Sequence, residues 1–111
     1  MKIFLDALKV DCIIGDMPEE RETEQTLEVS VEMEIPGAAA ESDNLGDTVD
    51  YAALAGRISD ALKRAKCRMI ERAAKTVWET VSAEKNAVSC SVRVTKRAAV
   101  PGLGAASATY P

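Results

Sequence analysis

The sequence predicts an α+β fold in which two helices cover one face of a four-stranded antiparallel sheet, and three observations predict it. Stretches such as residues 25–35 and 88–95 alternate apolar and polar side chains, as strands with one buried face do. Between them, residues 51–66 and 69–83 repeat apolar side chains every three or four positions, which is typical of amphipathic helices. The order strand, strand, helix, helix, strand, strand favours one sheet with both helices on its apolar face.

Length and composition restrict the class of protein. The 111 residues, 47% hydrophobic and 29% charged, are expected to form one globular domain spanning residues 1–111. A formal net charge of −4 argues against nucleic acid or an anionic membrane as the main partner. No apolar run approaches the roughly 20 residues needed to cross a bilayer, and charges interrupt the N-terminus too early for a secretory signal. We therefore expect a cytoplasmic protein.

The cysteine and histidine content limits the chemistry. Cys12, Cys67 and Cys90 form no close pair, so their spacing indicates neither a disulfide framework nor a zinc ribbon. The chain contains no histidine, which excludes the usual serine and cysteine hydrolase triads and most zinc sites. We therefore expect no metal and no cofactor, with catalysis by acidic residues, Lys, Tyr, backbone groups and water.

The first two strands are predicted at residues 2–14 and 25–35. The apolar residues of the first change parity midway, and a bulge near Ala7 and Leu8 would bring both halves onto one face. The second alternates without a break through five apolar residues, Leu27, Val29, Val31, Met33 and Ile35. The polar connection between the strands, residues 15–24, contains Gly, Pro and four glutamates, which is typical of a loop.

The helical half of the chain follows a connection at residues 38–46 that has room for one short helical turn. Asp50 is the predicted N-cap of a helix over residues 51–66, although Asp47 or Thr48 could also cap it. A second helix is predicted at residues 69–83.

The last two strands differ in strength. Residues 88–95 alternate clearly and end at Lys96, whereas residues 105–110 contain few β-branched side chains and predict only a weak fourth strand. The face of the sheet opposite the helices would be polar, lined by Glu28, Ser30, Glu32, Ser89, Ser91, Arg93 and Thr95. An open four-stranded sheet has two unpaired edges, and pairing them between subunits would close a barrel around a polar centre.

Several segments, in the same order along the chain, resemble the bacterial dihydroneopterin aldolase family. They are residues 10–15, 18–21, 25, 42–43, 47–51, 70–71 and 94–96. The resemblance implies the tunnelling fold, with subunits in tetrameric rings that stack into octamers and active sites between neighbouring subunits. It also implies retro-aldol cleavage of dihydroneopterin to 6-hydroxymethyl-dihydropterin and glycolaldehyde, a step of folate biosynthesis. The substrate's ring imine can accept the electrons of the broken bond, so this lyase needs neither a metal nor a Schiff base.

The resemblance also implies roles for individual residues. Glu71, in the first turn of the second helix, corresponds to the carboxylate that binds the ring amide and amino group of the pterin. Lys96 corresponds to the acid/base residue, which acts on the substrate hydroxyl through a water. Tyr51 corresponds to the tyrosine that helps protonate the intermediate and lies near the pterin.

The resemblance further implies that a loop glutamate lies near this lysine. Glu20 fits best by its offset from Gly15 and Gln25, with Glu19 and Glu22 as alternatives. Backbone groups around three residues are expected to complete the pterin pocket, namely Val49, Asp50 and Ile70. After the lysine, residues 97–99 lack the prolines that are common in the family.

Two other functions stay open. Dihydroneopterin triphosphate epimerase shares the fold and the acid/base groups, and its triphosphate would require extra cations, which Arg21, Arg72 and Arg97 could supply. The second alternative is a catalytically silent protein that binds a pterin or forms a structural ring. The presence of Glu20, Tyr51, Glu71 and Lys96 together argues against it.

Overall fold

The computed structural model describes residues 1–97 and 99–111, so Ala98, in the segment after the lysine, lies outside the described residues. Its four strands form one antiparallel sheet in the order β1-β2-β3-β4, which confirms the predicted α+β fold. The strands are β1 (Lys2–Cys12), β2 (Gln25–Glu34), β3 (Ser89–Arg97) and β4 (Ala105–Tyr110). The helices are α1 (Ala38–Ser42), α2 (Tyr51–Ala65) and α3 (Ile70–Ser82), with 3₁₀ turns at Pro18–Arg21 and Leu45–Asp47.

The core lies between the apolar face of the sheet and helices α2 and α3. Its fully buried side chains come from both layers and include Leu27, Val29, Met33, Val92 and Val94 of the sheet and Leu54, Ile58, Leu62, Val77 and Val81 of the helices. Burying one such side chain contributes about 1.5–3 kcal/mol, so this interface supplies most of the driving force for folding.

The bulge expected in β1 is present. The pairing register with β2 shifts between Leu5 and Leu8, and Ala7 adopts a left-handed conformation with φ 56°. Asp6 and Ala7 lie outside the ladder, and the Ala7 N–H donates to Ser30 Oγ at 3.0 Å. The shift places the apolar residues on both sides of the bulge on the core face.

The predicted element ends were wrong by one or two residues. Helix α2 stops at Ala65 because Lys66 adopts a left-handed φ of 45°, which closes the helix with a bond from its N–H to the Leu62 carbonyl. Strand β1 stops at Cys12, the last residue that pairs with β2. Ile14 lies beyond the ladder but is still buried in the core. The N-cap was predicted correctly, since Asp50 Oδ1 accepts the Ala53 N–H at 3.1 Å.

Contacts along α3 define two ends of the subunit. The Ser82 hydroxyl at the end of α3 lies 3.5 Å from Cys90 Sγ near the start of β3, so the two elements run antiparallel. The start of α3 and Lys96 therefore lie at one end, which we call the lysine end. At the other end Asn86 Nδ2 donates to the Thr48 carbonyl at 2.9 Å, which places the start of α2 there. This second end, with residues 46–51, is the tyrosine end.

The sheet face opposite the helices is mainly polar. Lys2 Nζ pairs with Glu32 at 2.7 Å, and Arg97 pairs with Glu28 across the strands. Phe4 lies on the same face, opposite Glu32, and is 57% exposed. Within residues 1–97 and 99–111, no helix has the length and apolar character required of a membrane span.

Candidate active site

The centre of the lysine end is a contact between Lys96 and Glu20. Lys96 is the penultimate residue of β3, and Glu20 belongs to the 3₁₀ turn Pro18–Arg21. Lys96 Nζ donates to Glu20 Oε2 at 2.5 Å, and the two side chains are only 12% and 21% exposed. Of Glu19, Glu20 and Glu22, it is Glu20 whose carboxylate bonds this lysine. The contact places a proton donor and a proton acceptor side by side at a partly shielded position.

Further donors hold the Glu20 carboxylate in place. Gln25 Nε2 donates to Oε2 at 3.1 Å and also to the Ile14 carbonyl at 2.7 Å, while the Met17 N–H donates to Oε1 at 3.2 Å. The hydrogen bond from Lys96, followed by those from Gln25 and Met17, lowers the pKa of Glu20 from 4.5 to about 2. Glu20 is therefore ionised at any physiological pH and serves as an acceptor.

Gly15 gives the carboxylate the space that it occupies. Gly15 has φ 126°, and a Cβ at this position would lie 2.2 Å from the Glu20 carboxyl carbon. A larger residue would therefore be strained in its backbone and would displace the carboxylate. The sequence indicated Gly15 as a loop residue within a family-like segment but not this contact, since a close approach to a side chain five positions away has no signature in sequence.

Arg21 connects this turn to the junction of α2 and α3. Its guanidinium donates to the carbonyls of Lys66 at 2.8 Å, Gly15 at 3.0 Å and Cys67 at 3.3 Å. The Gly15 N–H also donates to the Cys67 carbonyl at 3.1 Å. Because Cys67 precedes α3 by three residues, these bonds bring the Glu20 turn to the start of that helix.

Glu71 and Ile70 begin α3 at the lysine end. Ile70 is partly buried against the core, whereas Glu71 is exposed in the first turn. The free N–H groups and the dipole of a helix N-terminus favour an anionic side chain there. Glu71 thus presents a carboxylate to solvent at the same end of the subunit as Lys96.

Val49, Asp50 and Tyr51 lie at the tyrosine end instead. Val49 is buried, Asp50 caps α2, and Tyr51 is 60% exposed. Tyr51 borders a cavity of about 290 Å³ between β1, β2 and α2, lined mainly by apolar residues that include Leu5, Leu8, Val31 and Ile58.

The candidate residues therefore fall into two groups within one subunit. On β2, Val31 borders the cavity beside Tyr51, whereas Leu27 is the residue paired with Lys96. Four residues of strand separate the two positions, a distance of about 13 Å. The structure brings together Glu20 and Lys96, places Glu71 and Ile70 at their end, and leaves Val49, Asp50 and Tyr51 at the other.

The sequence of the chain matches that of known dihydroneopterin aldolases. The family model for dihydroneopterin aldolase (FolB) matches residues 3–110. The dihydroneopterin aldolase of Escherichia coli K12 is 30% identical over 99 residues, which cover 88% of this chain and 81% of that protein.

Solved structures agree with the sequence match. A crystal structure of a FolB protein of Vibrio cholerae has a TM-score of 0.92 at 27% identity, covering 99% of this chain and 94% of that one. A structure of the E. coli dihydroneopterin aldolase in complex with neopterin has a TM-score of 0.91, also at 27% identity, and covers 99% and 96% of the two chains.

Proposed function

The chain belongs to the dihydroneopterin aldolase family, and on this premise we propose that it cleaves dihydroneopterin to 6-hydroxymethyl-dihydropterin and glycolaldehyde. The observation that carries the proposal is the contact of Lys96 with Glu20, at the same end of the subunit as Glu71. The E. coli relative is solved in complex with neopterin, which matches this substrate class.

The chemistry needs one group that accepts a proton and one that donates it. Cleavage removes the proton of the side-chain hydroxyl as the carbon–carbon bond breaks, and the ring imine accepts the electron pair. The carbon that remains is then protonated, so no proton is gained or lost overall. In our proposal Lys96 moves these protons through a water, Glu20 accepts hydrogen bonds from Lys96, and Tyr51 helps to protonate the carbon. Neither a metal nor a Schiff base takes part.

The pterin ring is bound by Glu71 in this proposal. Its carboxylate can accept the ring amide N–H and the amino group together, and a charge-assisted hydrogen bond contributes about 1.5–3 kcal/mol. Backbone groups of Ile70, Val49 and Asp50 complete the pocket.

The separation of the two ends supports a site shared between subunits. The tyrosine end of a subunit lies too far from its own lysine end for the two to form one site. The tyrosine-end groups, Tyr51, Val49 and Asp50, can therefore complete a site only with the lysine end of a neighbouring subunit, which carries Glu20, Glu71 and Lys96. We therefore infer a homo-oligomer, a tetrameric ring or a stacked octamer, in which the open edges β1 and β4 pair and close the barrel. The subunit acts as one domain, residues 1–111, and we place the enzyme in the cytoplasm.

The triphosphate epimerase is less well supported than the sequence suggested. Two of its three candidate phosphate-binding arginines are already engaged, since Arg21 donates to backbone carbonyls and Arg97 pairs with Glu28. A silent binding protein or structural ring would have no use for the shielded pair of Lys96 and Glu20.

Incubation with each substrate separates these functions. We expect free glycolaldehyde from dihydroneopterin, detected by reduction with an aldehyde reductase, and little epimer from dihydroneopterin triphosphate by chromatography. Faster epimer formation without release of glycolaldehyde would show that the protein acts as the epimerase and not as the aldolase. Absence of both products, with pterin binding retained, would indicate the silent protein.

A further inference from the structure

Arg21 makes contacts that the proposed reaction does not itself require. Its side chain leaves the turn that carries Glu20 and ends on the carbonyls of Lys66 and Cys67, about 45 positions away in sequence, with the Gly15 carbonyl as a third acceptor. The guanidinium thus joins the loop at residues 15–21 to the junction of α2 and α3, which the Gly15–Cys67 backbone bond also connects.

The acceptors of Arg21 suit a planar cation. Helix α2 ends at Ala65, and the carbonyls of Lys66 and Cys67 follow it directly, near the negative end of the helix dipole, which favours positive charge. An arginine fork can serve several such oxygens at fixed angles, whereas a lysine ammonium is a point charge on a flexible stem. The arrangement therefore fixes orientation as well as charge.

We propose that Arg21 is a positioning residue that holds the Glu20 turn against the α2–α3 junction, and so sets the Glu20–Lys96 pair relative to Glu71. The inference rests on the proposed function, because it assigns Arg21 to the geometry of that same site. Without Arg21 the turn can move while α3 stays anchored in the core through Ala73, Ala74 and Val77. Proton transfer should then suffer more than pterin binding.

A second arginine provides a matched control. Arg68 pairs with Asp16 at 2.9 Å and connects the same two segments, but both side chains are about 60% exposed, at 59% and 61%. Exposed pairs of this kind contribute little. Arg68→Ala and Arg21→Ala each remove one positive charge from the same region, so a difference between them reports the bonds to the carbonyls.

Kinetics give the first test. We expect Arg21→Ala to lower kcat by about ten- to a hundredfold, as small misplacements of catalytic groups do, with KM within about threefold of the wild type. Arg68→Ala should leave both values within about twofold. Arg21→Lys should give an intermediate kcat, and added guanidinium should restore part of the activity of Arg21→Ala. If Arg21→Ala does not fold, Arg21→Lys takes its place.

Titration of the Glu20 carboxyl by ¹³C NMR gives a readout that is independent of turnover. Arg21→Ala should raise the pKa of Glu20 towards its ordinary value, because the carboxylate loses its fixed partners, and Arg68→Ala should not. A wild type without glycolaldehyde release would refute the proposed function while the titration still decides the role of Arg21. A folded Arg21 variant with unchanged kcat and unchanged Glu20 titration, or equal losses in both arginine variants, would overturn the inference.

Discussion

The lysine end and the tyrosine end differ in how completely one subunit surrounds and bonds their side chains. At the lysine end the reactive groups are satisfied within the subunit, since Lys96 is 12% exposed and bonded to Glu20, which has two further donors. At the tyrosine end Tyr51 and Phe4 are 60% and 57% exposed, and Tyr51 borders an apolar cavity. The Lys96–Glu20 pair, which we propose transfers the protons, is thus preorganised by the fold of one chain, whereas the apolar surface beside Tyr51 is exposed and is covered by a neighbour only in the proposed oligomer.

This difference has a physical reason. A charged pair needs fixed donors to keep its geometry, and local turns and strand ends supply these within one chain. A flat heterocycle needs apolar walls on both of its faces, which a subunit with a single small core cannot easily supply. Variants of the Lys96–Glu20 pair should therefore damage turnover, whereas variants of the ring-binding groups, Glu71 among them, should damage affinity.

The largest expected effect comes from removing the amine. Lys96→Ala should lower kcat by about 10²–10⁴, the range for loss of an acid/base group, while pterin affinity stays within about tenfold. Steady-state kinetics and fluorescence titration with neopterin measure the two values. Lys85→Ala, at an exposed lysine, is the control and should change neither. A comparable loss of binding in Lys96→Ala would contradict the division between the two functions.

Glu71→Ala should act in the opposite way. Loss of one charge-assisted hydrogen bond costs about 1.5–3 kcal/mol, so the dissociation constant for neopterin should rise about ten- to a hundredfold or more. The kcat at saturating substrate should fall much less than in Lys96→Ala. Glu79→Ala, at an exposed position two turns further along α3, should leave affinity unchanged. A Glu71→Ala variant that binds neopterin with normal affinity would contradict the proposed role of Glu71 as the pterin anchor.

Gly15→Ala tests how the lysine end is built. The new Cβ would clash with the Glu20 carboxylate, and the alanine would have to adopt φ 126°. We therefore expect the free energy of unfolding to fall by about 1–3 kcal/mol and kcat to be reduced. Gly37→Ala is the matched control, because nothing lies within 4 Å of the position of its Cβ. Urea unfolding and kinetics measure both effects, and equal behaviour of the two variants would show that the contact with Glu20 is unimportant.

The last expected effect is a pH dependence of stability. Since the pKa of Glu20 is about 2 in the folded protein and 4.5 ordinarily, the unfolded chain binds more protons between these values. The stabilisation by Glu20 should be complete above about pH 5 and disappear as the pH falls towards 2. The difference in unfolding free energy between the wild type and Glu20→Gln should therefore shrink on acidification, while Glu19→Gln stays close to the wild type. A constant difference would contradict the lowered pKa.

Periodicity predicted the fold well because the sheet and helices are half buried. The alternation of Leu27 to Ile35 and the parity change in β1 located two strands and the bulge. Element ends were less predictable, since the left-handed Lys66 that closes α2 is not a glycine.

The contact between Glu20 and Lys96 was predictable only through the family resemblance. Glu20 and Lys96 are 76 positions apart, and no local pattern brings such residues together. The contacts of Arg21 were missed because backbone carbonyls have no sequence signature, so the sequence suggested a phosphate-binding cation instead. The separation of Tyr51 from Lys96 could be seen only from the direction of α2 and α3 in the fold.

Subunit mixing tests the shared site most directly. Lys96→Ala and Tyr51→Ala should each be nearly inactive alone, but unfolding and refolding them together at equal amounts should recover about a quarter of the wild-type activity, since random assembly pairs an intact lysine end with an intact tyrosine end in that fraction of sites. Refolding each variant alone should recover none. Mixed oligomers that form, as shown by mass spectrometry, yet stay inactive would contradict a site built from two subunits.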